Sequence, residues 1–199
     1  MPTLNMGQNQ APPSPRQMEL RKYETGRTNL LIAIIITAIS IISPMLGLNF
    51  LVDLSIFTPS FLAYTGALIC GMFPDEFYVE MRLDDTSFYE PTYYYIMLIV
   101  SVIITLVFLL TWVLSKNGKV AWLIVATVLF LIDGLVMLFI VGISIDLLVG
   151  AIFHVWIIFS LIGAIIAHNK LKNMPIEEEE AIYSSVLDAF ANPDPNNFE

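Results

Sequence analysis

Four long apolar runs, at roughly 28–48, 93–115, 120–142 and 146–167, dominate this 199-residue chain and limit what it can fold into. A bilayer's hydrocarbon core, about 30 Å thick, takes about 20 helical residues at about 1.5 Å each. Each run meets that length. Hydrocarbon offers no hydrogen bonds, so a spanning backbone has to satisfy its own N–H and C=O groups, and each run is expected to be helical. The chain is 57% hydrophobic, more than the core of one soluble domain of this size requires, and the surplus is expected to face lipid. The expected fold class is an all-α membrane protein with four transmembrane helices. An outer interfacial or re-entrant helical element and a short cytosolic C-terminal helix complete it.

Residues 1–27, with "APPSPRQ" and "RKYETGR", are polar and contain proline, and they read as a disordered cytosolic tail. The apolar run that follows starts too late for a signal peptide and lacks a small-residue cleavage site, so it reads as a retained first span. The membrane domain is expected over 28–172. In the tail at 173–199, "IEEEEAIYSSVLDAF" reads as an amphipathic helix. Pro175 suits its first turn, Glu177–Glu180 suit the positive end of its dipole, and Ile182, Val186 and Phe190 recur at spacing four.

The net charge of −9 is sorted by position. Arg16, Arg21, Lys22 and Arg27 precede the first span, Lys116 and Lys119 lie between the second and third, and Lys170 and Lys172 follow the fourth. With both termini in the cytosol all of these fall inside, as the positive-inside rule asks, and Arg82 alone falls outside. Counting the apolar stretch 48–73 as a fifth span would put the two terminal basic clusters on opposite sides. Asp53 and Pro59 also interrupt that stretch, because proline removes a helix hydrogen bond and disfavours helix in the residue before it. It is therefore expected to be re-entrant or interfacial. The outer region 49–92 closes with an exposed acidic loop carrying Asp75, Glu76, Glu80, Asp84, Asp85 and Glu90. Phe77, Tyr78, Phe88 and Tyr89 within it suit a membrane interface, as do Trp112 and Trp122 beside the inner loop.

Asp133, in "FLIDGL", stands in the middle of the third run, and His154 in the middle of the fourth. Counted from the outer ends of their spans, they lie about 13 Å and 12 Å deep. The short connection makes these spans antiparallel neighbours, so the two side chains are expected to meet, with Ser101 at a similar depth. An unpaired intramembrane carboxylate costs about 2.5–3.5 kcal/mol, which is reason for a partner. Gly134 and Gly150 suit a close helix approach, and the Ser160/Ala164 and Gly163/Ala167 pairs suit packing on one face of the fourth span. The pair can be a proton- or ion-coupled site, or a polar fastener between two helices. The fastener reading is preferred, because transport needs a path and not one pair.

The chain has no Walker loop, GxSxG elbow or HExxH motif, and its single cysteine, Cys70, excludes an internal disulfide and a zinc site with two thiolates. No cofactor, metal or catalytic residue is expected. The acidic loop lacks the spaced ligands and glycine of an EF-hand. The stretches "RTNLL" at 27–31 and "CGMFPDEFY" at 70–78 resemble a pattern in small multi-span membrane proteins of Gram-positive bacteria. That resemblance implies a bacterial cytoplasmic membrane and carries no activity. The expected partners are the lipid bilayer and a second membrane protein or another copy of the chain, with no nucleic acid. The expected role is a non-enzymatic accessory or scaffold subunit of a membrane complex. The competing reading is a small proton- or ion-coupled transporter or channel using Asp133 and His154.

Overall fold

The computed structural model describes residues 13–46, 54–82, 88–142, 147–174 and 184–185. Among them every regular element is helical: α1 (Pro15–Ile42), α2 (Phe57–Ile69), α3 (Asp75–Glu80), α4 (Pro91–Leu114), α5 (Ala121–Val141) and α6 (Leu147–Asn173), with 3-10 turns at Ser43–Leu46 and Lys116–Gly118. Helices α1, α4, α5 and α6 are long and apolar enough to cross a membrane. Their outward faces are apolar, with Phe139 89% and Phe159 70% exposed, a surface suited to lipid rather than water.

Helix α1 starts well before residue 28, which corrects the expectation of a disordered tail through residue 27. The cause is a reciprocal cap. Gln17 N–H donates to Ser14 Oγ at 3.1 Å and Ser14 N–H donates to Gln17 Oε1 at 3.3 Å, while Pro15 occupies the first helical position, where a missing N–H costs nothing. At the other end Pro44 has no N–H to give the Ser40 carbonyl, and the Ser43 hydroxyl donates to it instead at 2.8 Å. Of the expected C-terminal amphipathic helix only the helical Ser184 and Ser185 are described, and Ile182, Val186 and Phe190 lie outside the described residues, as do Asp84 and Asp85.

The four long helices form a ring in which α1 packs on α4 and α6, and α5 packs on the same two. Each neighbouring pair is antiparallel. Gly26 sets the α1–α6 distance, because a Cβ there would lie 2.5 Å from Ala164 Cβ and 2.8 Å from the Ser160 carbonyl oxygen. Nearby, Asn29 Nδ2 donates to Ser160 Oγ at 2.7 Å. The core between the helices is built from residues such as Leu30, Ala33, Phe108, Leu123, Phe130, Ile157 and Leu161.

The ring has a basic end and an acidic end. The start of α1, the α4–α5 turn and the end of α6 bring Arg16, Arg21, Lys22, Arg27, Lys116, Lys119, Lys170 and Lys172 to one end. The other end carries α3 and the start of α4. At 13 residues, α2 is about 20 Å long, too short to cross a core of about 30 Å. It lies against α4, α1 and α5 in the acidic half of the ring. Its C-terminal end is fixed at the rim, where Tyr89 N–H donates to Ile69 O at 2.9 Å and Cys70 Sγ–H to Glu90 O at 3.4 Å. Gly66 faces Tyr94 and Met97 of α4, so the two helices run antiparallel and α2 begins deep in the bundle.

The rim is more ordered than an acidic loop. Asp75–Glu80 form α3, with Asp75, Glu76 and Glu80 exposed, and Glu90 is the exposed residue before α4. Phe77 and Tyr78, expected to suit a membrane interface, point inward at the rim. They are buried with Ala67, Phe73 and Tyr94, because one face of the short helix points inward. Tyr78 Oη donates to the Leu68 carbonyl at 3.1 Å, and burial pushes its phenol above the ordinary value, so it remains a donor.

Candidate functional site

A helix leaves its first four backbone N–H groups without internal partners. For α2 these belong to Ile56, Phe57, Thr58 and Pro59, and they lie deep in the bundle. The residue at the cap position, Ile56, has no side-chain oxygen and makes no cap. The acceptors come from other helices. Ile56 N–H donates to Thr37 Oγ1 of α1 at 2.8 Å. Phe57 N–H and Thr58 N–H donate to Asp133 Oδ2 and Oδ1 of α5, each at 2.8 Å. Pro59 has no N–H to satisfy. Asp133 is therefore the cap of a helix distant from it in sequence, and its carboxyl oxygens face the positive end of the α2 dipole.

His154 of α6 completes the site. Its Nε2 lies 2.8 Å from Asp133 Oδ2 and its Nδ1 lies 2.8 Å from the Gly150 carbonyl oxygen one turn earlier. A carbonyl can only accept, so Nδ1 carries a proton. Nε2 and Oδ2 then share one more. Either an imidazolium donates to a carboxylate or a carboxylic acid donates to a neutral imidazole, and in both forms the pair has no net charge. That neutrality removes the main cost of burying it. Phe130 and Phe153 set ring edges against the imidazole at centroid distances of 5.8 Å and 6.0 Å.

The site is closed and near mid-depth. Asp133 is 4% exposed and His154 3%. Counted along α5 (Ala121–Val141), Asp133 is about 18 Å from the start and about 12 Å from the end. Thr37 Oγ1 accepts from Ile56 while its own proton goes to the Ala33 carbonyl at 2.7 Å, so it too is fully used. Below this layer Ser55 Oγ–H donates to Ser60 Oγ at 2.8 Å.

Asp133 and His154 are thus brought together, and Ser101 is not. Its hydroxyl donates to the Met97 carbonyl of its own helix at 2.8 Å, a bond open to any serine in an apolar helix. Gly134 is not what allows the approach, since a Cβ there would sit 3.6 Å from His154 Cδ2, an ordinary contact. Gly150 contributes its carbonyl. The rim carboxylates Asp75, Glu76, Glu80 and Glu90 lie apart from this site, and among the described residues no three His, Cys, Asp or Glu side chains form a metal-holding group.

Sequence reasoning missed the start of α2 and Thr37. The signal for the first was present. "FTPS" places a proline in the first turn of an apolar run, which marks a helix start as much as an interruption. A helix that starts after an apolar cap residue needs acceptors from elsewhere. No known protein family, characterised protein or solved structure matches the chain.

Proposed function

We propose that the protein is a non-enzymatic integral membrane protein of a bacterial cytoplasmic membrane, serving as an accessory or scaffold subunit of a membrane complex. The observation that carries this reading is the closure of the Asp133–His154 site. A group that passes a proton or ion must meet water at some stage. Here every polar atom of the pair is engaged inside the fold. A buried network satisfied in this way selects one arrangement of the helices that it joins. In this reading α2 is a re-entrant helix entering from the outer side, and both termini are cytosolic. The gathering of eight basic residues at one end supports that orientation. The acidic rim around α3 and the C-terminal tail are the contact surfaces.

Purification from the native membrane in mild detergent, followed by native mass spectrometry, tests the reading. The expected result is a second protein retained in fixed stoichiometry. A lone chain with a pH-dependent flux in proteoliposomes, abolished by Asp133→Asn, would overturn it.

One observation favours a transporter as the second reading. A half-length helix whose N-terminus stops at a carboxylate in mid-bundle is a device from which transporters build ion sites. In that case the single proton shared by Asp133 and His154 is the coupled species.

A further inference from the structure

A groove of about 410 Å³ opens at the basic end between α1, α6 and the α4–α5 turn, with Tyr23, Glu24, Arg27, Lys116 and His168 on its walls. Its key residue is Arg27, which is 8% exposed. The guanidinium is held from three directions. Nε donates to Ser115 Oγ at 3.1 Å, Nη1 donates to both Glu24 carboxylate oxygens at 3.1 Å and 2.9 Å, and its carbon lies 5.7 Å from the Trp112 ring centroid. Nη2 makes no hydrogen bond among the described residues, so two N–H groups of a largely buried arginine remain unused.

The surroundings of Arg27 are equally fixed. Lys116 Nζ lies 5.6 Å from the same Trp112 ring. Tyr23 Oη–H donates to the Ser115 carbonyl at 2.6 Å, and its ring rests against His168 at 5.6 Å. Gly118, at φ 74°, keeps the turn against the imidazole, where a Cβ would lie 3.3 Å from His168 Cε1.

We propose that this groove binds a phosphate group. Arg27 already holds a two-oxygen anion, the Glu24 carboxylate, whose side chain is 54% exposed and can give way to solvent. The formal charges of Arg27, Lys116 and Glu24 sum to +1, and the His168 ring lines the same groove. A guanidinium fork beside an ammonium and an imidazole matches the several oxygens of a phosphate better than the two of a carboxylate. The place matches as well. Arg27 stands where α1 turns apolar and Lys116 follows the end of α4, the level at which lipid phosphates lie, and basic pockets between spans at that level take anionic headgroups. The phosphate is that of a phospholipid or of a soluble phosphate compound. The proposal does not depend on the accessory or the transport reading.

The test is binding of phosphatidic acid and of diacylglycerol with the same acyl chains to the detergent-purified full chain, followed by native mass spectrometry and thermal shift. Inorganic pyrophosphate is the soluble probe. Phosphatidic acid is expected to bind about tenfold tighter than diacylglycerol, the size of one charge-assisted contact, and Lys116→Gln, on an exposed side chain, to lose most of that preference. Arg27→Gln is expected to abolish it. Stabilisation by pyrophosphate, with competition against the lipid, identifies a soluble source, and discrimination by lipid alone identifies a headgroup. Equal binding of the two lipids with no effect of pyrophosphate, or binding unchanged in Lys116→Gln, would overturn the proposal.

Discussion

At the scale of single residues, the α2 N-terminus is a closed set of donors and acceptors. Thr37 isolates one bond of that set. Thr37→Val keeps the shape and leaves Ile56 N–H without an acceptor, a loss of about 1–3 kcal/mol for a buried donor. A lower melting temperature in detergent is expected for Thr37→Val, and a near-native one for Thr37→Ser, which keeps the oxygen. Equal melting of the two variants would show that this bond is idle. Counting residues from span ends sets Asp133 opposite His154, because depth in an antiparallel helix pair is fixed by rise per residue. The other partners of the carboxylate were not legible. The N–H groups of Phe57 and Thr58 belong to a backbone that reaches Asp133 only after the chain has folded back. Nor does depth say where a hydroxyl turns, and Ser101 turns onto its own helix.

At the scale of elements, close approach decides what glycine does. Gly26 stands in a polar stretch and Gly163 in an apolar run among small residues, and the small-residue pairs of α6 do not say which face meets a neighbour. A Cβ at Gly26 would press on α6, whereas one at Gly163 meets nothing within 4 Å. Gly26→Ala is therefore expected to destabilise by about 1–3 kcal/mol through overpacking. Gly163→Ala is expected to be neutral or to gain up to about 1 kcal/mol of helix propensity. Thermal melts of the two variants in the same detergent check this, and a reversed order would contradict the α1–α6 contact. The four long helices are readable because length and hydropathy are what lipid demands. The first turns of α1 are not, because hydropathy detects lipid exposure while residues 15–27 are helical through Ser14, Pro15 and Gln17. α3 is hidden for a related reason. Its carboxylates suggest a solvated loop, and only Phe77 and Tyr78 reveal an inward face.

At the scale of the whole molecule, the separation of basic and acidic ends predicts an orientation. With Cys70 replaced by serine, a cysteine at Glu76 is expected to react with an impermeant maleimide added to intact cells. A cysteine at Lys119 is expected to react only after permeabilisation, and the opposite pattern would invert the topology. The ends also divide the labour within the ring. The basic half is a four-helix bundle with the Arg27 groove, and the acidic half holds α2 as a fifth, shorter helix packed on α1, α4 and α5, with His154 of α6 on the Asp133 carboxylate that caps it. The Asp133 carboxylate, through its bonds to Phe57 and Thr58 N–H, holds α2 in place. In Asp133→Asn the amide can turn either way, and each way sets an NH₂ against the N–H of Phe57 or Thr58, so one donor always loses its acceptor. Hydrogen–deuterium exchange of the protein in lipid nanodiscs measures that hold. Exchange over the first turns of α2 is expected to rise about 5- to 150-fold in Asp133→Asn, the equivalent of about 1–3 kcal/mol, while the basic half of α1 and α6 is unchanged. Protection of α2 equal to that of the wild type would contradict it.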